Sequence, residues 1–404
     1  MTSQRESYEK HNIRILNSEN KAEKESGKRP IRVWMDGSFD MLHLGHVAAM
    51  YEARAMGDRL IIGAQSDADV IQHKGPPVYP EGERFRLIQA LKCVDEFVGA
   101  ASYGTTIETL DKYHCDFCVH GADATLIASD TDVVKKLMEI NRAKLVGRGA
   151  GPSTTIQIQR ILQRLEAGQT RSGEVVERSN LKNDDIQSTQ IHDTDERVYW
   201  PTATQIHAFT NGRGPLPGEK IVYVDGAFDL FNVGHLSFLE KAAEQGDYLL
   251  VGVHSDHVVK CRKDVPFPIL SVMERALLVL SLKCVSDVIF GAPASITPEF
   301  LEYFKIDLVC RGKISTKDYG DGTDPYCVPK KMGIFKIIDS GNDITSHTIE
   351  NRVLSKRLEE KGIFETEFKA SRRRRKKLNV RKGRKKLNER QAREKKEEAD
   401  RKES

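Results

Sequence analysis

The sequence predicts an α/β protein built from two tandem domains, each with a doubly wound parallel sheet. Short buried-strand patterns alternate with helical patterns, as is typical of parallel strands covered by helices on both faces. A phrase that begins at Ile31 and ends at His46 recurs from Ile221 to His235, 189 residues further on. Such a long repeat indicates a duplicated domain. The chain of 404 residues, 39% of them apolar, is long enough for two separate cores.

The strand and helix patterns follow the same order in both halves. In the first half, the predicted strands are Arg32–Met35, Leu60–Ala64, Glu96–Gly99 and Phe117–Val119. The helical patterns there are Gly45–Met56, Gly82–Lys92 and Ile156–Leu165. In the second half, the predicted strands are Ile221–Val224, Tyr248–Val253, Asp287–Phe290 and Leu308–Cys310. The shared order predicts the same fold twice.

Composition divides the chain into five predicted segments. Residues 1–28 are polar and predicted to be disordered, and residues 169–218 are rich in Ser, Thr, Asn, Asp, Gln and Gly, as expected of a linker. The two domains are predicted at 29–168 and 219–365, followed by a basic tail at 366–404. No apolar run is long enough for a membrane span, and seven scattered cysteines suit a reducing compartment. A cytoplasmic protein is therefore expected.

The net charge of +4 conceals an acidic body and a basic tail. Residues 371–404 contain 17 Lys and Arg against 6 Asp and Glu, a local charge of +11, so the remainder carries −7. An acidic body disfavours specific nucleic-acid binding by the folded domains. The tail could direct nuclear import, contact anionic surfaces or bind nucleic acid in a salt-dependent way, and an unengaged solvated segment is an equal alternative.

The segment Asp36–His46 follows the first predicted strand and opens the first predicted helix. In an open parallel sheet, this strand-to-helix turn commonly meets the phosphates of a nucleotide. Gly37 permits a close backbone approach. His43 and His46 lie near the helix start, beside free N–H groups and the positive end of the helix dipole. Histidines there often only cap or pack, but the strand, the Asp-Gly turn and the repeat favour donation to phosphate oxygens.

Two further segments offer cations and donors to phosphates. The stretch Gln72–Pro77 is predicted as a loop that carries Lys74, and Lys263 stands 189 residues later. A lysine on such a loop is usually only solvated, yet its repetition favours phosphate contact. Arg148 precedes Ser153–Thr155, which are suited to cap the following helix. Together these groups suit nucleotidyl transfer.

Several phrases, taken together, carry a family resemblance. They are His43-Leu44-Gly45-His46, His73-Lys74-Gly75-Pro76-Pro77-Val78, Leu110-Asp111-Lys112-Tyr113, Cys118-Val119-His120-Gly121, Tyr223-Val224-Asp225-Gly226-Ala227-Phe228-Asp229 and Asp321-Gly322-Thr323-Asp324-Pro325-Tyr326. With them the chain resembles the cytidylyltransferase branch of the His-x-Gly-His nucleotidyltransferases over about 29–168 and 219–365. The tandem arrangement resembles members of that branch that use phosphoethanolamine. The resemblance implies two Rossmann-like nucleotidyltransferase domains.

The same resemblance implies a reaction in phosphatidylethanolamine synthesis. A cytidylyl group would pass from CTP to phosphoethanolamine with Mg²⁺ as cofactor, giving CDP-ethanolamine and pyrophosphate. The implied catalytic residues are His43, His46, Lys74 and Arg148, and Asp36 would face the acceptor ammonium. The implied nucleotide-binding residues are Gly37, Ser38, Phe39, Gly45, His120, Gly121, Asp123, Ser153, Thr154 and Thr155. A homodimer is an open possibility.

The second half is expected to be a degenerate copy. Asn232 replaces the first histidine, Arg311 stands at the position of His120, and Ser340 at that of Arg148. Loss of cations should disable catalysis before it disrupts the fold. The residues expected to retain nucleotide binding are Ala227, Phe228, Asn232, Gly234, His235, Lys263, Arg311, Gly312, Lys313, Thr345 and Ser346.

Departures from the family pattern leave two alternatives open. The family usually has a tryptophan where Cys93 stands, and an aromatic face could hold the substrate ammonium. Gly149, Pro152, Ala122 and Ala124 also depart from it. The alternatives are a cytidylyltransferase acting on phosphocholine or another phospho-alcohol, and a regulatory paralogue that binds nucleotide. The remaining Cys-x-x-Cys phrase, Cys115 to Cys118, is predicted to be core packing and not a zinc site.

Overall fold

Two five-stranded sheets, all parallel, form the framework of the protein. The computed structural model describes residues 29–121, 128–147, 151–171, 202–210, 212–263, 268–313 and 324–360. Both sheets belong to one compact unit that ends at Glu350. Among the described residues, no helix is both long and apolar enough to cross a membrane.

The first domain has the strand order β3-β2-β1-β4-β5. Its strands are β1 Arg32–Gly37, β2 Arg59–Gln65, β3 Glu96–Ala101, β4 Phe117–Gly121 and β5 Ala143–Val146. Its helices are α1 Leu44–Arg54, α2 Asp67–Lys74, α3 Glu81–Gln89, α4 Ile107–Lys112, α5 Ala128–Glu139 and α6 Thr154–Arg171. The order reverses between β1 and β4, so the turn after β1 lies at the switch point where ligands bind in such sheets.

The second domain repeats this plan with the order β10-β9-β6-β7-β8. A short helix, α7 Ala203–Ala208, precedes it. Its strands are β6 Ile221–Gly226, β7 Tyr248–His254, β8 Asp287–Ala292, β9 Leu308–Gly312 and β10 Phe335–Ile338. Its helices are α8 Val233–Ala243, α9 Asp256–Lys263, α10 Val272–Leu280, α11 Pro298–Tyr303, α12 Cys327–Lys331 and α13 Ser346–Glu360. The predicted duplication of the fold is confirmed.

The predicted strands are all present, but each sheet has one more strand than the sequence predicts. These are the edge strands β5 and β10, four residues each, whose two central residues are exposed. Because neither has an alternating or continuous apolar pattern, periodicity misses both. The predicted loop Gln72–Pro77 is also wrong in part. Lys74 is the last residue of α2, and the loop begins at Gly75, whose φ of 83° ends the helix.

The predicted linker is ordered near its end. Helix α7 lies inside 169–218, and the following Phe209 is buried and stacks on Tyr51 of the first domain, with ring centroids 4.3 Å apart. The predicted core packing of Cys115 and Cys118 is confirmed, since both are buried free thiols. The arm at 1–28 and the tail beyond residue 360 lie outside the described residues.

The two domains meet through a reciprocal contact. Leu91 and Leu282 form an antiparallel bridge across the junction. Lys92 Nζ donates to the carbonyl of Leu280 at 2.7 Å, and Lys283 Nζ donates to that of Gln89 at 2.8 Å. Each lysine thus places its charge at the negative end of a helix in the other domain, where the dipole favours it. Burial lowers the pKa of Lys92 to about 8.

The junction corrects one expectation about the acceptor site. Cys93 follows Lys92 and is buried there, ahead of the start of β3 at Glu96. The predicted ligand site lies at the opposite, carboxyl ends of the strands. An aromatic side chain at position 93 would therefore lie at the domain junction, away from the predicted ligand site.

Candidate functional site

The turn between β1 and α1 has an uncommon backbone that both domains share. Phe39 and Met41 have positive φ angles of 48° and 49°, and Phe228 and Leu230 have φ of 50° in the second domain. Residues other than glycine rarely adopt this left-handed backbone region, which costs of order 1–3 kcal/mol for each residue. All four are buried, so core packing holds them. A Cβ on Gly37 would lie 3.1 Å from the Phe39 ring, which explains the glycine.

A buried arginine and an aspartate hold this turn in place. Arg84 is fully buried, and it donates to the carbonyl of Ser38 at 2.6 Å and to Asp67 at 2.7 Å. Asp40 accepts the backbone N–H groups of Val78 and Tyr79, both at 2.8 Å. The turn is therefore fastened on both sides.

The second domain repeats these fastenings, which sequence reasoning missed. Arg275 donates to the carbonyl of Ala227 at 2.6 Å, and Asp229 accepts from Ile269 and Leu270. The signal was available, because the arginine recurs after 191 residues and the aspartate after 189. Charged side chains that recur within apolar surroundings indicate buried structural roles.

His43 caps helix α1, and the cap defines its tautomer. Its Nδ1 accepts the backbone N–H of His46 at 3.2 Å. The proton of the neutral ring is therefore on Nε2, which can donate to an anion. The rings of His43 and His46 stack with centroids 3.7 Å apart. Two imidazoles thus lie together at the positive end of the helix dipole, where an anion is favoured.

His46 is neutral in the structure. Burial, reinforced by the positive charge of Lys74, lowers the pKa of its imidazole to about 3. Its Nδ1 is buried and has no hydrogen-bond partner among the described residues. An incoming anion would supply both the missing partner and an opposite charge, which favours the protonated ring. The side chain is therefore suited to respond to bound phosphate.

This depressed pKa predicts that stability falls in mild acid. Below pH 6.5 the unfolded imidazole binds a proton that the buried ring refuses, so the free energy of unfolding should drop by up to about 1.4 kcal/mol per pH unit between 6.5 and 3. Denaturant unfolding at pH 7 and pH 5 would measure the loss. In His46→Gln the loss should be smaller, and an unchanged loss would refute the assignment.

A second helix start lies directly against the histidine turn. A Cβ on Gly151 would be 2.8 Å from the backbone nitrogen of Gly45, so the two segments meet backbone to backbone. Ser153 Oγ accepts the N–H of Ile156 at 3.2 Å, which confirms the predicted cap of α6. Thr154 donates to the carbonyl of Asp40 at 3.0 Å. Two helix N-termini therefore converge beside the histidines.

The other predicted residues of the first domain have mixed outcomes. Lys74 is close enough to lower the pKa of His46, and its ammonium lies 5.8 Å from the Tyr103 ring. His120, in β4 beside β1, has a buried Nε2 without a partner among the described residues. Asp36 accepts a hydrogen bond from Thr105. The structure thus brings these residues to the carboxyl ends of the strands. Arg148 and Asp123 lie outside the described residues.

The second domain keeps the cap but loses the donor. Asn232 Oδ1 accepts from the N–H groups of Gly234 and His235, and its Nδ2 donates to the carbonyl of Leu230. A Cβ on Gly234 would lie 2.0 Å from the Ile344 carbonyl oxygen, so the second helix start is close here too. The Asn232 amide therefore takes over the capping function of His43, while its N–H donor is used within the turn.

The counterpart of Asp36 is also engaged internally. Asp225 accepts from Tyr326 Oη at 2.5 Å and lies 3.2 Å from His254 Nε2. Arg311 packs over the Tyr326 ring, 5.2 Å from its centroid. These contacts engage the carboxylate that corresponds to Asp36 with side chains of its own domain.

The remaining predicted residues of the second domain have structural partners or lie outside the described part. Lys313 pairs with Asp339 at 2.7 Å, and Ser346 donates to the carbonyl of Asp229 at 2.5 Å. Lys263 ends α9 just as Lys74 ends α2, but its side chain lies outside the described residues. Gly312 and Thr345 lie at the end of β9 and just before α13. Residual nucleotide binding remains a prediction.

A doubly wound sheet whose first turn presents two histidines to an adjoining helix start defines a nucleotidyltransferase. The family model described as cytidylyltransferase-like matches residues 34–192 and 223–338. The ethanolamine-phosphate cytidylyltransferase of Mus musculus is 41% identical, over 82% of this chain and 88% of that protein. That of Dictyostelium discoideum is 39% identical, over 83% and 93%. The chain belongs to the ethanolamine-phosphate cytidylyltransferases of the cytidylyltransferase-like family.

Similarity to a related enzyme is more limited. The choline-phosphate cytidylyltransferase 2 of Arabidopsis thaliana is 34% identical, over 37% of this chain and 51% of that protein. That match covers little more than a third of this chain. Similarity to the ethanolamine-phosphate enzymes instead extends over most of both chains.

Proposed function

We propose that the first domain transfers a cytidylyl group from CTP to phosphoethanolamine, releasing pyrophosphate and forming CDP-ethanolamine for phosphatidylethanolamine synthesis. The main observation behind this proposal is the pair of stacked imidazoles at the start of α1, next to which the start of α6 lies. Relatives named ethanolamine-phosphate cytidylyltransferase, similar over more than four-fifths of the chain, support the same activity.

The reaction is an in-line displacement at the α-phosphorus of CTP. A phosphate oxygen of phosphoethanolamine forms the new P–O bond, and the bond to the β-phosphate bridging oxygen breaks. The second pKa of a phosphomonoester is about 6, so the nucleophile is already largely deprotonated at neutral pH. No enzyme base is required. The rate depends on positioning and on stabilisation of charge on the transferring and leaving groups.

The described residues supply that stabilisation in the proposal. His43 donates from Nε2, because its Nδ1 is used by the cap. His46, whose pKa burial lowers to about 3 in the free protein, stays neutral and donates to phosphate through its single ring N–H. Lys74 adds a fixed positive charge nearby. The backbone N–H groups at the two helix starts complete the set of donors.

Mg²⁺ is proposed to enter with CTP. Mg²⁺ is usually bound by substrate phosphates, a few waters and one or two carboxylates. Among the described residues, no three His, Cys, Asp or Glu side chains are grouped to hold a metal ion. The oxygen-rich triphosphate suits the ion, which when bound neutralises the leaving pyrophosphate.

Asp36 is proposed to distinguish phosphoethanolamine from phosphocholine. A primary ammonium has three N–H donors and can bind a carboxylate directly. A quaternary ammonium has none, and proteins recognise it with aromatic faces. The Asp36 carboxylate lies at the end of β1 and is supported by Thr105. This chemistry favours phosphoethanolamine.

Location and further contacts are proposed from composition alone. A cytoplasmic enzyme suits the polar body and its free cysteines. The tail at 366–404, which lies outside the described residues, carries the charge for contact with anionic surfaces or for nuclear import. Specific nucleic-acid binding is not part of the proposal.

The test is pyrophosphate release by the purified chain with CTP and Mg²⁺, with phosphoethanolamine and phosphocholine supplied separately. We expect turnover with phosphoethanolamine, abolished in His43→Ala and retained in His235→Ala. Turnover with phosphocholine and none with phosphoethanolamine would contradict the proposed acceptor. Nucleotide binding without turnover on either acceptor would establish the regulatory alternative.

A further inference from the structure

Helix α6 has contacts at its first turn with the histidine turn of the first domain. Thr154 donates to the carbonyl of Asp40, and Gln157 Nε2 donates to that of Met41 at 3.2 Å. Gln157 is almost fully buried. The position of α6 along its own axis therefore determines where its N-terminus meets the histidines.

The middle of the same helix is held by the second domain. Arg164 donates to Asp229 Oδ2 at 3.2 Å and also pairs with Glu350. Its side chain is 9% exposed, and that of Asp229 is 3% exposed. One turn earlier, Arg160 contacts Glu274 at 3.1 Å and the carbonyl of Ile269 at 3.2 Å. Two arginines of one helix thus bind the second domain.

The partners of these arginines belong to the degenerate turn and its support. Asp229 lies within the turn that corresponds to the histidine turn, and it also accepts from Ile269 and Leu270. Glu274 is the third residue of α10, where its side chain closes a capping box with Ser271. Each arginine therefore binds a carboxylate that is itself held rigidly, which makes a firm anchor.

A second connection joins the two turns independently of α6. Tyr79 is buried, and its backbone N–H donates to Asp40 at 2.8 Å. Its hydroxyl donates to the carbonyl of Phe231, in the degenerate turn, at 3.0 Å. The catalytic turn is therefore linked to the degenerate turn both through α6 and through Tyr79.

We propose that Arg164 is a positioning residue for the reaction in the first domain, and that the second domain, through Asp229, holds α6 and so sets the phosphate site. This rests on the proposed cytidylyl transfer and extends it to the role of the degenerate half. It explains why that half retains the buried turn after losing its donor histidine: the turn serves as an anchor. Asp229 and Arg164 never touch the substrate in this arrangement.

The test compares Arg164→Met and Arg164→Lys with the unmodified full-length chain. Misplacement of a phosphate site by a fraction of an ångström is expected to cost about tenfold in kcat/KM for CTP. The KM for phosphoethanolamine should change less than the KM for CTP, because α6 contributes to the phosphate side. Lysine restores the charge to Asp229 and should recover part of the loss. Melting curves establish that each variant is folded.

Arg86→Met is the matched control. Arg86 pairs with Glu240 across the same domain junction at 2.6 Å, but it lies on α3 and is half exposed. Its removal should leave KM for CTP unchanged. An equal rise in KM for CTP in Arg86→Met and Arg164→Met would mean that domain docking alone matters, and would overturn the proposal.

Tyr79→Phe provides a second test if Arg164→Met does not fold. It removes one hydroxyl and keeps the ring, so it should fold and raise KM for CTP by about threefold, as loss of one hydrogen bond allows. Folded variants with unchanged kinetics would refute the positioning role. Two measurements separate the two proposals. Absence of turnover in the unmodified chain refutes the reaction. Unchanged CTP affinity of Arg164→Met, measured by calorimetric titration with CTP alone, refutes the anchor.

Discussion

Replacing His43 with asparagine is expected to lower the rate of cytidylyl transfer by about 10²–10³-fold while the protein stays folded, the cost of losing one preorganised donor. Asparagine already occupies the corresponding position of the second domain. There, the Asn232 side-chain oxygen accepts two backbone N–H groups and caps α8. Asparagine at position 43 should therefore cap α1 and lack only the Nε2 donor. Pyrophosphate release and thermal melting would measure the two effects.

The reciprocal change is the control. Asn232→His introduces the missing imidazole into the second domain, where Asp225 remains engaged by Tyr326 and His254. It should leave the overall rate unchanged. A large rise in rate would show that the second domain needs only a histidine to catalyse. An active His43→Asn would remove the assigned role of Nε2.

The second large effect is expected from Gly151→Ala. A methyl group here would lie 2.8 Å from the nitrogen of Gly45 and 3.0 Å from its Cα, which are backbone atoms that can yield only if the two segments separate. Separation moves the start of α6 away from the histidines. We expect kcat/KM to fall by about 10²-fold, as misplacement of about 1 Å can produce. Steady-state kinetics with CTP varied would measure it.

Gly82→Ala is the control for this glycine. Gly82 lies in α3, and a Cβ there meets no atom within 4 Å. Alanine should leave activity unchanged and stabilise the protein by about 0.4–1 kcal/mol, because it reduces the conformational freedom of the unfolded chain. Full activity in Gly151→Ala would mean that the two segments do not form one site.

Much of the fold was predictable because its signals are local or repeated. The central strands are continuous apolar runs, and the turn after β1 recurs in the second half with six of the eleven residues of 36–46 unchanged. The exposed edge strands β5 and β10 were missed, since four-residue strands with two exposed central residues have no usable period. The loop predicted around Lys74 was partly wrong because Gly75, not the lysine, ends the helix.

The candidate site was predictable in its residue types and not in its support. Motif spacing indicated the histidines and the capped helix after Arg148. The structural role of the buried Arg84, which donates to the carbonyl of Ser38, was not predicted, because an arginine near a helix start is usually solvent-exposed. The location of Cys93 at the domain junction also escaped, since sequence places it beside β3 but does not show which surface the other domain covers.

The sequence by itself determined the duplicated α/β architecture, the family and the half that carries both histidines, because these depend on periodicity, spacing and repetition along the chain. Only the tertiary structure decided that Asn232 preserves a cap while losing a donor, that Asp225 is occupied by its own domain, and that Arg164 reaches Asp229. These facts depend on contacts between residues far apart in the chain. Such contacts are set by how the two sheets pack, which no local pattern encodes.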